Sequence, residues 1–462
     1  MRLTALAGWL LCLTVPLAAA LPAESAPRSL TLAGQAVGDI TVLAPENDPK
    51  LFVELISDKD GLTAENRAQA ETLVARGAAV ALVDLPTLIS REAASEDTEC
   101  HYIYGDLDDL AHNAEHELGM TNWRWPVLFG IGGGGGGFAY LVLGQTPLNT
   151  AAGSVSLGFE PTLPTKLPLC GDNLANDPAK SKFTYGPANA LPGRWRWIAS
   201  APPPPNLAEF VKASGSARLQ IVGGDAKAQL DAALDAVFEI GSPPETALDL
   251  PLVELPAKQK AKALAVFISG DGGWRDIDKK IGDYLADQNV AVVGVDSLRY
   301  FWRHKSPEQI AADLDRIVDY YQRRWQVRAT ALLGYSFGAD VLPLAWGKLS
   351  PATREATQVI GLVGFEPTAD LEVSISGWLG LESSQAVAVR PYLASMPASK
   401  VLCVFGLDEE RDHETACTFP ELADATKLNR PGGHHFDGNY QTIADAILAK
   451  LEHRTLSSLA QQ

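Results

Sequence analysis

One stretch of this chain is written twice. Residues 56–85, ISDKDGLTAENRAQAETLVARGAAVALVDL, lie without a gap on residues 268–297, ISGDGGWRDIDKKIGDYLADQNVAVVGVDS. Ile56, Ser57, Gly61, Leu73, Ala79, Val80, Val83 and Asp84 coincide with Ile268, Ser269, Gly273, Leu285, Ala291, Val292, Val295 and Asp296. Each copy reads as strand, glycine-containing turn, helix, strand. The runs at 264–268 and 290–295 are apolar without alternation, as expected of strands covered on both faces. Strands alternating with amphipathic helices imply a parallel, doubly wound sheet. A chain that carries the unit twice is expected to build two such α/β sheets in tandem, and 462 residues are enough for both.

The echo extends beyond that stretch. Residues 126–134, with Gly130, Gly132 and Gly134, parallel residues 331–338, with Gly334, Ser336 and Gly338. Near the end of each copy, 219–225, closing on Gly223, Gly224 and Asp225, parallels 428–434, closing on Gly432, Gly433 and His434. Amphipathic patterns at 228–238 and 440–451 follow. The first domain is therefore expected over 27–241 and the second over 257–455, joined by a proline-rich linker at 242–256 that ends in a strand entry. A polyproline loop, 202–205, sits inside the first domain. The glycine run at 132–137 lacks the Lys-Ser/Thr of a phosphate-cradling loop and reads instead as a relaxed, former turn of the kind seen around Ser336.

The N-terminus has Arg2, an apolar stretch at 6–15 and small residues at 18–20. This is the pattern of a cleaved signal peptide spanning 1–20. Residues 9–11 before Cys12 make a poor lipoprotein box, and no later apolar run is long enough to cross a bilayer. Four cysteines follow the signal. In an exported protein an even count suggests disulfides, here Cys100 with Cys170 and Cys403 with Cys417. A formal net charge of −18 argues against a nucleic-acid partner and against adsorption to an anionic membrane, and suits a cationic ligand better.

Gly334-Tyr335-Ser336-Phe337-Gly338 follows an apolar strand and precedes a helical pattern. That is a nucleophile elbow of the α/β-hydrolase type, in which a serine on a tight strand-to-helix turn exposes its hydroxyl. Flanking glycines are needed because a Cβ there would strike the neighbouring strand or helix. A hydroxyl needs a base, and the chain order of this fold is nucleophile, acid, base. His434 is the favoured base because it follows the glycine pair directly, and His435 is the alternative. The acid should follow the strand at 401–406. Asp408 is the first choice and Asp412 the second, with the rest of that acidic run read as a solvated loop. The oxyanion hole is expected from the backbone N–H groups of Phe337 and Gly272. Gly132 and Asp225 stand where the first copy would need serine and histidine, so that copy reads as a degenerate, non-catalytic domain that packs against, supports or recruits for the second. The mechanism calls for no metal and no cofactor.

Residues 264–274, 297–302, 334–343, 376–380 and 431–438 together resemble the AcvB/VirJ family of bacterial virulence proteins along the whole second domain. Two tandem copies behind a signal peptide resemble the longer, AcvB-type arrangement. The resemblance implies a periplasmic enzyme that hydrolyses aminoacyl-phosphatidylglycerol, chiefly lysyl-phosphatidylglycerol, with ties to virulence and type IV secretion. Asp271 or Asp340 could then bind the amines of the substrate, and Arg299 and Arg303 the lipid phosphate; a packed aromatic patch with solvated arginines is the alternative for the last two. Two other classes compete: a non-catalytic binding or chaperone protein associated with secretion, and a general esterase on soluble esters.

Overall fold

The computed structural model describes residues 27–453 apart from 98, 172–173, 178–181, 189, 216, 243–247 and 374–384. The expected signal peptide and the 376–380 motif lie outside the described residues. The first half contains strands β1 (Arg28–Gln35), β2 (Gly38–Ala44), β3 (Leu51–Ile56), β4 (Ala78–Val83), β5 (Val127–Ile131), β6 (Gly153–Leu157), β7 (Thr162–Leu163), β8 (Leu174–Asp177), β9 (Lys182–Tyr185), β10 (Arg194–Ala199) and β11 (Ala217–Ile221). Eight of them form one sheet in the order β1-β2-β4-β3-β5-β6-β10-β11, and β7, β9 and β8 form a small antiparallel one. The second half contains β12 (Leu252–Leu255), β13 (Ala263–Ile268), β14 (Val290–Val295), β15 (Thr330–Tyr335), β16 (Thr357–Val363), β17 (Thr368–Ala369), β18 (Val387–Ala388), β19 (Val401–Gly406) and β20 (Thr426–Arg430). Seven of these form the second sheet, in the order β12-β14-β13-β15-β16-β19-β20.

The first sheet is parallel from β3 onward and the second from β13 onward, and both reverse order at the same point, as in an α/β-hydrolase. The pairs β3–β4, β3–β5, β13–β14 and β13–β15 are all parallel. β2 and β12 occupy equivalent antiparallel positions beside β4 and β14. One feature was not anticipated: β1 and β2 add an antiparallel edge to the first sheet. The linker does end in a strand, β12, which joins the second sheet.

The sequence echo is an echo of contacts. Gly61 (φ 86°) and Gly273 (φ 84°) make the same left-handed turn, a conformation that favours glycine. A Cβ on either would come within 2.8 or 2.9 Å of the Asp84 or Asp296 carboxylate. Each of those carboxylates caps the helix that starts after the second strand, accepting from Thr87 N and Arg299 N. Ser57 Oγ accepts from Leu85 N, and Ser269 Oγ from Ser297 N. Three shared residues thus fix the same strand-turn-helix geometry twice.

The domains are packed together. Trp302 Nε1 and Arg303 Nε of the second domain both donate to Met120 O of the first, at 3.1 and 2.9 Å. His112 stacks on Trp123 with ring centroids 4.0 Å apart, and Trp123 meets Trp302 at 5.1 Å. Trp123 and Trp302 are almost fully buried, and burying a large aromatic side chain contributes about 2–3 kcal/mol. Arg303 is therefore engaged in the domain seam rather than solvated or turned to a ligand. Among the described residues, no helix is long and apolar enough to cross a membrane. Cys100–Cys170 and Cys403–Cys417 are both disulfide-bonded.

Candidate active site

β15 ends at Tyr335, and a helix, Phe337–Trp346, starts immediately after Ser336. The reversal is made at Ser336 itself, with φ 51° and ψ −125°. A non-glycine residue there is strained, and the surroundings must over-determine it. They do so by excluding every alternative. A Cβ on Gly334 would lie 2.2 Å from Gly338 O, and one on Gly338 would lie 2.1 Å from Ile268 O. Ser336 N donates to Val363 O at 2.8 Å, and Ser336 O accepts from Ala339 N at 2.7 Å. The hydroxyl is left at the N-terminal end of a helix, where developing negative charge is favoured.

Ser336 Oγ lies 2.8 Å from His434 Nε2. His434 Nδ1 lies 2.7 Å from Glu409 Oε1. Glu409 sits in a short helix, Leu407–Arg411, that begins where β19 ends. Its carboxylate is 3% exposed and also accepts from Gly406 N. A carboxylate held at Nδ1 fixes the proton there and leaves Nε2 free to accept from the serine. Glycines clear the space around the imidazole: Gly364 (φ 62°) brings its backbone so close that a Cβ would sit 2.9 Å from His434 Cε1.

The expected acids are not the ones in contact. Asp408 and Asp412, one helical turn apart, both face outward and pair with Arg411 at 2.7 and 2.8 Å. The acidic run expected to be a loop is helical at 407–411, and that turns Glu409 to the opposite side. His435 does not reach Ser336 either; its Nδ1 lies 3.2 Å from Tyr335 Oη. Of the loop glycines, Gly270 faces the nucleophile: its Cβ would lie 3.8 Å from Ser336 Cβ. The space beside Gly272, expected to lend an amide, is filled by the Arg275 guanidinium, 2.6 Å from where a Cβ would stand. Phe337 packs on Phe301 with centroids 4.8 Å apart. Asp340 is buried, and burial pushes its carboxyl well above the usual range. Its Oδ1 accepts from Glu366 N at 2.8 Å, so it holds a loop rather than facing solvent.

That loop carries a second residue, after Glu409, that the sequence alone did not single out. Gly364-Phe365-Glu366-Pro367-Thr368 repeats Gly158-Phe159-Glu160-Pro161-Thr162 letter for letter, and the identity was the signal that could have found it. Glu366 is exposed at the site. It acts on His434 together with Asp271. Burial disfavours the imidazolium, but the hydrogen bond and charge of Glu409, then Glu366 and Asp271, outweigh it and hold the His434 pKa above its ordinary 6.5. Glu366 and Asp271 thus add negative charge to the surroundings of the imidazole.

The equivalent place in the first domain is closed. Gly132 keeps the left-handed turn, with φ 70°, so the elbow there is not relaxed. The space where a nucleophile would stand is taken by Asp58, 2.2 Å from a would-be Cβ, and Asp58 Oδ1 accepts from Gly134 N at 2.8 Å. A Cβ on Gly133 would meet Glu160 at 2.7 Å. Asp225, opposite His434 in the alignment, caps the next helix by accepting from Ala228 N.

Residues 262–455 match the family described as bacterial virulence protein (VirJ). The match covers the second domain. The match runs from β13 to the last helix, Tyr440–Leu451, and so takes in Ser336, Glu366, Glu409 and His434. No curated protein matches the chain. The solved structures similar to it include Est1E from Butyrivibrio proteoclasticus (13% identity over 44% of this chain and 93% of that one, TM-score 0.30). MenH from S. aureus is similar at 14% (44% and 98%, TM-score 0.33), and TT1662 from Thermus thermophilus at 15% (47% and 100%, TM-score 0.31). The fold of the second domain rests on its strand order and elbow rather than on these likenesses.

Proposed function

We propose that the chain is an extracytoplasmic serine hydrolase that cleaves the aminoacyl ester of an aminoacylated phospholipid, lysyl-phosphatidylglycerol first among them. The observation that carries this is the unbroken chain from Glu409 through His434 to Ser336, at 2.7 and 2.8 Å. Ser336 Oγ attacks the ester carbonyl while His434 Nε2 takes its proton. His434 returns that proton to the leaving glycerol oxygen, which frees phosphatidylglycerol and leaves an aminoacyl-serine. Water, deprotonated by the same imidazole, then releases the amino acid. Glu409 holds the tautomer and stabilises the imidazolium. Phe337 N and a loop amide stabilise the oxyanion. Gly270 N–H is engaged by the buried Asp278 carboxylate, which makes Asp271 N–H the next amide along the loop.

The aminoacyl preference rests on charge. An aminoacyl ester carries an ammonium on the carbon next to the scissile carbonyl, and a lysyl ester carries a second one. Glu366 and Asp271, which act electrostatically on His434, supply counter-charges at that position. The VirJ-family match and two disulfides, which persist in oxidising compartments, agree with a periplasmic site of action. The test is to incubate the mature protein and Ser336→Ala with lysyl-phosphatidylglycerol vesicles and with a neutral nitrophenyl ester. Lipid turnover lost in the variant supports the reading. Turnover of the soluble ester alone refutes the substrate, and no turnover of either favours a binding protein.

A further inference from the structure

A cavity of about 340 Å³ lies at the seam between the two domains. That is within the range of small-molecule sites, roughly 300–1,000 Å³. Trp123, Arg124, Trp125 and Arg194 line it from the first domain, and Arg299 from the second. Among the described residues its lining holds three arginines and no carboxylate, in a chain of net charge −18.

Three donors packed inside the cavity wall lack acceptors. Arg124 Nε, Trp123 Nε1 and Trp125 Nε1 are buried without a hydrogen-bond partner. Such groups are costly unless something satisfies them. The Arg299 guanidinium lies over the Trp125 ring, 5.0 Å from its centroid. Glu115 and Asp296 act on these arginines by charge and also hold backbone: Glu115 accepts from Arg124 N at 2.9 Å and Asp296 from Arg299 N at 3.2 Å. Burial raises the pKa of both carboxyls, which weakens them as counter-ions. Burial and the charge of Arg124 also lower the pKa of Arg299, against the pull of Asp296. Arg194 is partly committed, donating to Glu239 O and Ile240 O.

We propose that this cavity is a phosphate-binding site built jointly by the two domains, with Arg124 and Arg299 as its principal ligands. A phosphate offers three or four acceptor oxygens in a geometry that guanidinium forks match in pairs. The aromatic and aliphatic wall leaves room for an organic substituent, so a phosphate monoester, a phosphodiester headgroup and free phosphate share the required chemistry. The site exists only while the domains are docked, which gives the degenerate first domain a part in ligand binding. It stands independently of the ester chemistry at Ser336.

Isothermal titration of the mature chain with inorganic phosphate and with glycerophosphoglycerol tests this. Wild type, Ser336→Ala and the exposed control Lys227→Gln are expected to bind at one site. Arg299→Gln and Arg124→Gln are expected to bind about tenfold more weakly or worse, the loss of one charge-assisted contact. Tighter binding of the phosphodiester assigns the site to a lipid headgroup, and binding of inorganic phosphate alone assigns it to the free anion. If Arg299→Gln loses its cooperative melt, Arg299→Lys keeps the charge, loses the fork and is read in the same way. No binding of either probe to wild type, or wild-type affinity in a folded Arg299 variant, overturns the proposal. Because Ser336→Ala is among the binding arms, a failed hydrolase reading leaves this result interpretable.

Discussion

Glu409→Gln separates the account from its nearest rivals. Glu409 makes two contacts with its carboxylate, to His434 Nδ1 at 2.7 Å and to Gly406 N, and is 3% exposed. The amide is isosteric, so the helix Leu407–Arg411 and the disulfide behind it should persist. What changes is the imidazole. Glutamine carries no charge to stabilise the imidazolium, and if its NH2 faces Nδ1 the proton is driven to Nε2, the atom that must accept from Ser336. Amide replacement of a triad acid elsewhere lowers kcat by about 10⁴-fold, and a loss of that order is expected here. Glu409→Ala should do the same and also destabilise, because the buried Gly406 N–H loses its acceptor, at about 1–3 kcal/mol. Asp408→Asn and Asp412→Asn lose only contacts to an exposed Arg411 and should stay within about twofold, given the small worth of surface pairs. The assay is initial-rate hydrolysis at saturating ester, with melting curves recorded beside it. Activity of Glu409→Gln within tenfold of wild type, or a collapse in Asp408→Asn, would refute the assignment.

Other outcomes follow from the same geometry. His434 must be neutral to act as a base, and its pKa is held above 6.5, so the acidic limb of kcat/KM should inflect above that value and activity should rise with pH through it; Glu366→Gln removes a negative neighbour and should move the limb to lower pH. Gly136→Ala would put a Cβ 2.0 Å from Gly158 O and should destabilise the first domain by about 1–3 kcal/mol, read as a lower melting temperature with the Ser336 chemistry unaltered in the folded fraction. The Cys403–Cys417 bridge closes a separation of 14 residues around Glu409; replacing both cysteines by serine should cost about 3 kcal/mol of stability and lower kcat more than it raises KM, because the carboxylate loosens.

The two-sheet plan was legible because the repeat is local. Strand, glycine turn and helix recur with the same residues in contact, and Gly61 with Asp84 and Gly273 with Asp296 close the same turn. Ser336 and His434 were legible for a related reason, since glycines on either side leave few conformations open. Glu409 was not, because an acidic run gives no sign of which member faces inward until the helix at 407–411 is known. Arg299 and Arg303 look alike in sequence, yet one lines a cavity and the other binds Met120 O, a difference made only when the domains dock. The glycine run at 132–137 looked like a dead loop. It is helix packed backbone to backbone, with Gly135, Gly136 and Gly137 each pressed on a carbonyl oxygen of a neighbouring loop.

The most direct test of the central claim is to trap the intermediate. Mature protein is mixed with lysyl-phosphatidylglycerol vesicles, quenched in acid within the first turnovers, digested and read by mass spectrometry. The account expects one lysyl group added to the peptide that contains Ser336, absent in Ser336→Ala, with Glu409→Gln accumulating it slowly. Lipid turnover with no adduct at Ser336, or undiminished turnover in Ser336→Ala, would contradict it.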